Sequence, residues 1–296
     1  MPVILAGSLT ECKHKFKEYV MHNFGIKNNA KDRAEMVWVP EGVFSVSDHY
    51  GIRRDHQRAR VTGYWIYKYD VTVAQYRAFC AATKHKLPHF PQPRVDDPGY
   101  IGSYFSWEIN TGWDDPALQQ HPIVNVTWDD AKAYADWAGV TLPTAVQWEY
   151  AASGTGGNNY PWGGTATDDD KYNGWDATKC ANRENSLLVG KSTWPVGSFP
   201  EGASWCGAQD MAGNVWEWCD DWYDDCYVDD YFYQHRNIVT NPANYLSDGE
   251  YHVLRGGSWD YDEAERYLTT VYCGHNKLNE GSESIGFRCV SLSPEP

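Results

Sequence analysis

From Glu35 to Asp48 the chain reads EMVWVPEGVFSVSD, with apolar and polar residues alternating on both sides of Pro40-Glu41-Gly42. A period of two predicts a strand, a turn and a second strand. GYWIYKYDVT, residues 63–72, is another strand-like run and leads into Thr72. Elsewhere the period lengthens. In residues 8–24 Cys12, Phe16 and Val20 recur every fourth place with lysines between them, which predicts an amphipathic helix in an N-terminal extension, residues 1–34. Three further helices are announced by their first turns. Thr72-Val-Ala-Gln75 and Thr144-Ala-Val-Gln147 are capping boxes, and Thr127-Trp-Asp-Asp130 is a weaker form of the same device. The first of these helices should bury Val73, Tyr76, Phe79 and Cys80. The second should bury Ala131, Tyr134, Ala135 and Ala138 and end at Gly139, and the third should close near Gly154. Beyond it, SGTGGNNYPWGGTATDDD shows no sustained period. With no internal repeat and no evident linker after Glu35, residues 35–296 read as one α+β domain.

Composition explains how so irregular a chain could hold together. Its 296 residues include 15 Trp and 21 Tyr, while the mean hydropathy is only −0.63. Large rings bury much area per residue and stabilise irregular backbone. A net charge of −15 opposes binding to phosphate backbones and anionic lipid, so neither nucleic acid nor membrane is an expected partner. MPVILAGSL lacks the basic start and long apolar core of a signal peptide, which makes a cytoplasmic location the expectation. The eight cysteines include no C-x-x-C pair, which argues against a zinc ribbon or thioredoxin-type site. Cys219 and Cys226 are the nearest two in sequence, but spacing alone does not assign a bridge. Ser258 lacks a G-x-S-x-G elbow, GTGGNN lacks the lysine of a phosphate loop, and the acidic run Asp220 to Asp230 reads as a solvated face.

The phrases MVWVPEGVF, YDVTVAQYRAF, HPIVNVTWDDAKAYADWAG, LPTAVQWEYAA, YPWGG, PVGSFP, DMAGNVWEW, LRGGSW and IGFRCV follow one another in order. Together they resemble the formylglycine-generating enzyme family over residues 35–291. That resemblance implies a C-type-lectin-like α+β fold with little regular structure. For the oxidase it also implies copper held by two thiolates, one two residues after the aromatic of Gly-Gly-Ser-aromatic and the other five further on, soft ligands that suit cuprous ion. Here those places hold Tyr261 and Arg266. A phenol and a guanidinium do not replace two thiolates, so neither copper nor the oxidase activity is expected. The resemblance also implies structural calcium at Asp210, Gly213, Val215 and Glu217, two carboxylates and two backbone carbonyls forming a hard-oxygen shell. The competing reading of Glu217 is a simple pair with an arginine under Trp216 and Trp218. A second calcium site, starting at Asn182, lacks its downstream aspartate, since that place falls near Leu188.

Between LRGGSW and IGFRCV lies DYDEAERYLTTVYCGHNKLNEGSES, a mixture of tyrosine with small polar and acidic residues. Binding loops favour this mixture because tyrosine gives large contact at low entropy cost and small polar groups adapt their hydrogen bonds. The layout is also similar to that of the variable proteins of diversity-generating retroelements. That likeness implies a ligand-binding surface at Asp260, Tyr261, Asp262, Tyr267, Tyr272, His275, Asn276 and Asn279, all on one exposed face, with a protein or small molecule as partner. A nonheme-metal enzyme of the same family and an unvaried accessory binding module are the alternatives.

Overall fold

The computed structural model describes residues 25–47, 53–89, 112–165, 172–188, 193–224, 238–245 and 249–293. The helix expected over residues 8–24 lies outside them, as do Cys12 and Cys226. The alternating runs become strands, but not a hairpin. β1 (Ile26–Asn28) pairs antiparallel with β2 (Glu35–Val39), which pairs with β5 (Tyr64–Tyr67) rather than with β3 (Gly42–Ser47). Pro40 and Glu41 therefore carry the chain between sheets, and β3 pairs with β4 (Arg53–Val61). Because β1 belongs to the same sheet as β2, the domain takes in at least residues 26–34, which the sequence reading gave to an extension.

The first sheet has the order β1-β2-β5-β11, where β11 is Val290–Ser291. The second runs β10-β6-β8-β9, made of Ile285–Gly286, Trp216–Trp222, Tyr251–Arg255 and Cys273–Lys277. The third adds β7 (Val239–Thr240) to β3 and β4. All three capping boxes form, with each threonine hydroxyl accepting the N3 amide. They open α1 (Val73–Thr83), α2 (Trp128–Ala138) and α3 (Ala145–Ser153). The buried residues of α1 and α2 are the eight expected ones, and Gly139 ends α2 in a left-handed conformation. In α3 every residue from Val146 to Ser153 is buried, because this helix packs on β3, β4, β6 and β8 together. Among the described residues of 154–215 the helical elements are 3₁₀ turns and α4 (Arg183–Leu188).

Aromatic rings fill the interior. Tyr76, Tyr134 and Phe287 meet at 5.3–6.3 Å in one core, and Phe44, Tyr150 and Trp148 anchor the other. Among the described residues no helix is long and apolar enough to cross a membrane.

Candidate functional site

The candidate site is built around Glu217, in β6, the strand between β10 and β8. Glu217 lies opposite Arg255 of β8 on one side and Gly286 of β10 on the other. Both of its oxygens are engaged: Oε2 accepts from Trp148 Nε1 at 2.8 Å and Arg288 Nε at 2.6 Å, and Oε1 accepts from a terminal nitrogen of Arg288 at 2.9 Å. The arginine pairing weighed for Glu217 therefore exists, with Arg288 as the partner. Arg288 also donates to the carbonyls of Tyr67 and Lys68, each at 3.2 Å, and to Asp70 Oδ1 at 3.1 Å. Its side chain and those of Glu217 and Asp70 are fully buried.

The segment after β8 is fastened at its start. Arg255 donates to Glu149 Oε2 and to the Val271 carbonyl, both at 3.0 Å. Glu149, which the sequence reading did not single out, also takes Ser47 and Arg53. Gly256 and Gly257 follow at φ 94° and 71°, a region open to glycine at no steric cost. The Gly256 carbonyl accepts the Gly213 amide at 2.9 Å, and Trp259 donates its amide to Asn214 at 3.1 Å. RGGSW thus encodes a fixed entrance to the segment.

Beyond Trp259 the eight expected residues separate into groups. Arg183, in α4, holds the first two acids, with Nε 3.0 Å from Asp262 and NH1 3.6 Å from Asp260. Tyr261, Tyr267 and Tyr272 close a ring of aromatics with Trp216. Centroids are 5.7 Å for Trp216–Tyr261, 4.6 Å for Tyr261–Tyr267, 4.9 Å for Tyr267–Tyr272 and 5.9 Å for Trp216–Tyr272. All three tyrosines are half-buried, and burial pushes the Tyr261 and Tyr272 phenols up. The short helix α5 (Ala264–Tyr267) delivers Tyr267.

His275 is not with them. Side chains alternate along a strand, so Tyr272, Gly274 and Asn276 share one face of β9, and Cys273, His275 and Lys277 the other. The Trp216 ring covers Gly274, so close that a Cβ there would lie 3.1 Å from it. On the opposite face the His275 ring stacks at 4.0 Å on Tyr223 and meets the edge of Tyr251 at 5.2 Å. Asn276 donates its amide to the Glu280 carbonyl at 2.9 Å, and Asn279 is exposed on the turn that follows. Of the eight, Tyr272, His275, Asn276 and Asn279 lie on or beside β9 and take both its faces and its turn, so the eight do not share one face, because His275 stands an odd number of residues from Tyr272.

At the expected calcium site, Asp210 adopts φ 59° and its Oδ2 accepts the Gly197 amide at 2.7 Å. Burial pushes its carboxyl up to about 6, against the pull of the Gly197 amide and Arg288. Asp70 is pushed up as well, by burial first and then by the charge of Glu217, and its Oδ2 has no hydrogen-bond partner. Arg288 thus bonds two buried carboxylates, Asp70 and Glu217, and a third, Asp210, feels its charge without bonding it. This excess of buried negative charge favours a hard cation beside Asp210, but of the expected donors Glu217 has both oxygens taken by Trp148 and Arg288, and the orphaned oxygen belongs to Asp70, outside the expected set. Among the described residues no three His, Cys, Asp or Glu side chains converge to form a metal site, and the expected donor set contains only two. Asn182, start of the second expected calcium site, is spent otherwise: its Oδ1 accepts the amides of Glu184 and Asn185, and its Nδ2 donates to Ala177 and Cys180. It caps α4.

Residues 24–292 match the sulfatase-modifying factor enzyme 1-like domain. The chain belongs to that family. Formylglycine-generating enzyme of Streptomyces coelicolor is 32% identical over 291 residues, covering 86% of this chain and 88% of its own. Among solved structures, PvdO from Pseudomonas aeruginosa superposes with a TM-score of 0.66 at 22% identity, over 90% of this chain and 97% of PvdO. Treponema denticola variable protein 1 superposes with a TM-score of 0.61 at 19% identity, over 92% and 99%. At such identities these likenesses establish the fold, the α+β C-type-lectin-like type shared by family enzymes and variable proteins. Within this family member, Tyr261 and Arg266 stand where the resemblance implies thiolates. Arg266 is exposed, 3.3 Å from Glu263 and stacked over Tyr267 at 5.2 Å.

Proposed function

We propose that this chain is a ligand-binding member of the family, recognising a protein or small molecule through the segment between Trp259 and Ile285, and that it does not oxidise cysteine. The observation that carries this reading is the exchange at Tyr261. Where the enzyme's chemistry needs a thiolate there is a phenol, one of three half-buried tyrosines, Tyr261, Tyr267 and Tyr272, packed with the buried Trp216. Burial opposes its ionisation. Such a cluster offers rigid contact area with polar hydroxyl ends, the combination that suits recognition. Calcium, at Asp210, Glu217 and the carbonyls of Gly213 and Val215, serves structure in this reading by neutralising the carboxylates beneath the surface.

A recognition surface should contribute little to folding, whereas the frame should carry it. Replacing the exposed Asp262, His275 and Asn279 together by serine should cost about 0.5 kcal/mol per site or less. Trp259→Ala, which truncates a buried ring, should cost about 3 to 5 kcal/mol. Denaturant unfolding of both variants checks this, and a multiple variant as unstable as the tryptophan variant sinks the proposal. In a parallel assay with copper, oxygen and a sulfatase-type cysteine peptide the cysteine should survive. Aldehyde above the metal-only control refutes it equally.

A further inference from the structure

We propose that the ligand is an extended, positively charged polypeptide segment that adds to β9 as a fifth strand, an inference that rests on the ligand-binding reading above. β9 is the last strand of its sheet, and among the described residues no strand pairs with its outer edge. An exposed edge presents a row of backbone donors and acceptors, and natural proteins usually blunt it with proline, bulges or inward charges. From Gly274 to Lys277 this edge has no proline, its pairing with β8 has no register shift, and its one charge stands at the end.

The division of the expected residues between two faces supports this mode of binding. A flat patch could use only one face of β9. A strand laid along the edge sends alternate side chains to both. On one side they would meet the Trp216, Tyr261, Tyr267 and Tyr272 cluster beside Gly274. On the other they would meet His275 stacked on Tyr223 and Tyr251. Leu278 donates its amide to the Glu250 carbonyl, so Gly274 and Asn276, in phase with it, face β8, and the backbone groups turned toward the incoming strand are those of Cys273, His275 and Lys277, of which the Lys277 carbonyl already accepts the Glu280 amide.

Charge selects the ligand's sign. Glu250 and Glu280 each lie 3.9 Å from the Lys277 ammonium, so the cation on the strand is outnumbered by its neighbours. Asp224 is exposed, and the Asp262 carboxylate is 80% exposed. With a net charge of −15 over the whole chain, the field repels acidic segments and attracts basic ones. It also opposes edge-to-edge pairing of two copies.

The test is a selection of random twelve-residue peptides displayed on phage against the full chain, followed by affinity measurements on the most enriched peptide by fluorescence anisotropy. Enriched peptides should be richer in Lys and Arg than the library and should lose affinity as salt rises. N-methylation of every second residue should depend on phase. In the phase facing β9 it removes about two backbone hydrogen bonds and should weaken binding roughly thirtyfold, whereas the other phase should change it by about twofold or less. Tyr272→Ala and His275→Ala should each weaken binding, since both faces are used. Equal effects of the two phases, no enrichment of basic peptides, no peptide enriched at all, or dimerisation of the chain through this edge would each overturn strand addition. Loss with Tyr272→Ala but not with His275→Ala or either N-methylated peptide would do the same while leaving the ligand-binding reading intact.

Discussion

His252 gives a sharp test of how this aromatic interior handles charge. Its ring lies between two indoles, stacked on Trp128 at 4.1 Å and 14° and against Trp222 at 4.0 Å and 32°. Nδ1 bonds the Asp221 carbonyl at 3.0 Å, so the ring donates there, and Nε2 is left as a buried acceptor without a partner. The Asp221 carboxylate is directed to the amides of Ala145 and Asn244, and on β9 the residue in register is Asn276, so among these described neighbours no anion is aimed at the ring. Burial lowers the imidazole from 6.5 to about 4. With this sign the unfolded chain binds the proton first, so stability present above the unfolded value is lost as pH falls from 6.5 toward 4. Evaluated at pH 5, those two values give a loss of about 2 kcal/mol relative to pH 7. Two cation–π contacts could return about 0.5 to 1 kcal/mol each to an imidazolium. Protonation would, however, turn Nε2 into a buried donor with nothing to accept it, which favours the neutral ring. His252→Phe keeps a ring in the slot and abolishes the titration. Urea unfolding of both proteins at pH 7 and pH 5 should show the wild type losing about 2 kcal/mol more than the variant, and His121, also lowered to about 4 by burial, contributes equally to both and cancels. Equal losses, or a His252 proton titration midpoint near its ordinary value by NMR, would refute the reasoning.

Chelation should lower the melting temperature, because a cation bound only by the native state stabilises it by mass action, by about 2.7 kcal/mol at a hundredfold excess over Kd. Asp210→Ala should remove the chelator's effect, and an undiminished effect in that variant would rule out the assignment. Arg288→Met should destabilise by about 3 to 5 kcal/mol, because it strands Asp70 and Glu217 as buried anions without their counter-ion. A loss below about 1 kcal/mol in denaturant unfolding would show those carboxylates to be neutral in the folded protein.

Local signals were legible in the sequence and distant ones were not. Thr72, Thr127 and Thr144 could be read as caps because each partner lies three residues away. The ordered phrases likewise disclosed the family and its fold. Helix α4 went unread although Asn182 and Asn185 are spaced as its caps, since Asn-rich stretches also signal turns. The Glu217–Arg288–Asp70 linkage joins residues 71 and 218 positions apart, and only the assembled sheets bring them together. Parity held a further signal that was missed: once residues 273–277 form a strand, Tyr272 and His275 must face opposite ways.

The placement of β6 bears on how the segment from Asp260 to Ser284 would be free to serve the recognition proposed above. Arg255 at its entrance and Gly286 at its exit flank the same residue, Glu217, on opposite sides. The two ends are therefore held about 10 Å apart, two strand spacings, by backbone ladders on a strand whose own residues are mostly buried. Closing a loop costs entropy that grows only slowly with its length, so once the frame fixes the ends, the sequence between them has little leverage on whether the ends meet. The costly buried groups, Glu217 with Arg288 and Glu149 with Arg255, lie in that frame and not in the segment. Trp216 joins the two roles, since it belongs to the β6 ladder yet supplies the floor for Tyr261 and Tyr272. Changes at the tyrosines should therefore register mainly in binding, and changes at Trp216 in binding and stability together.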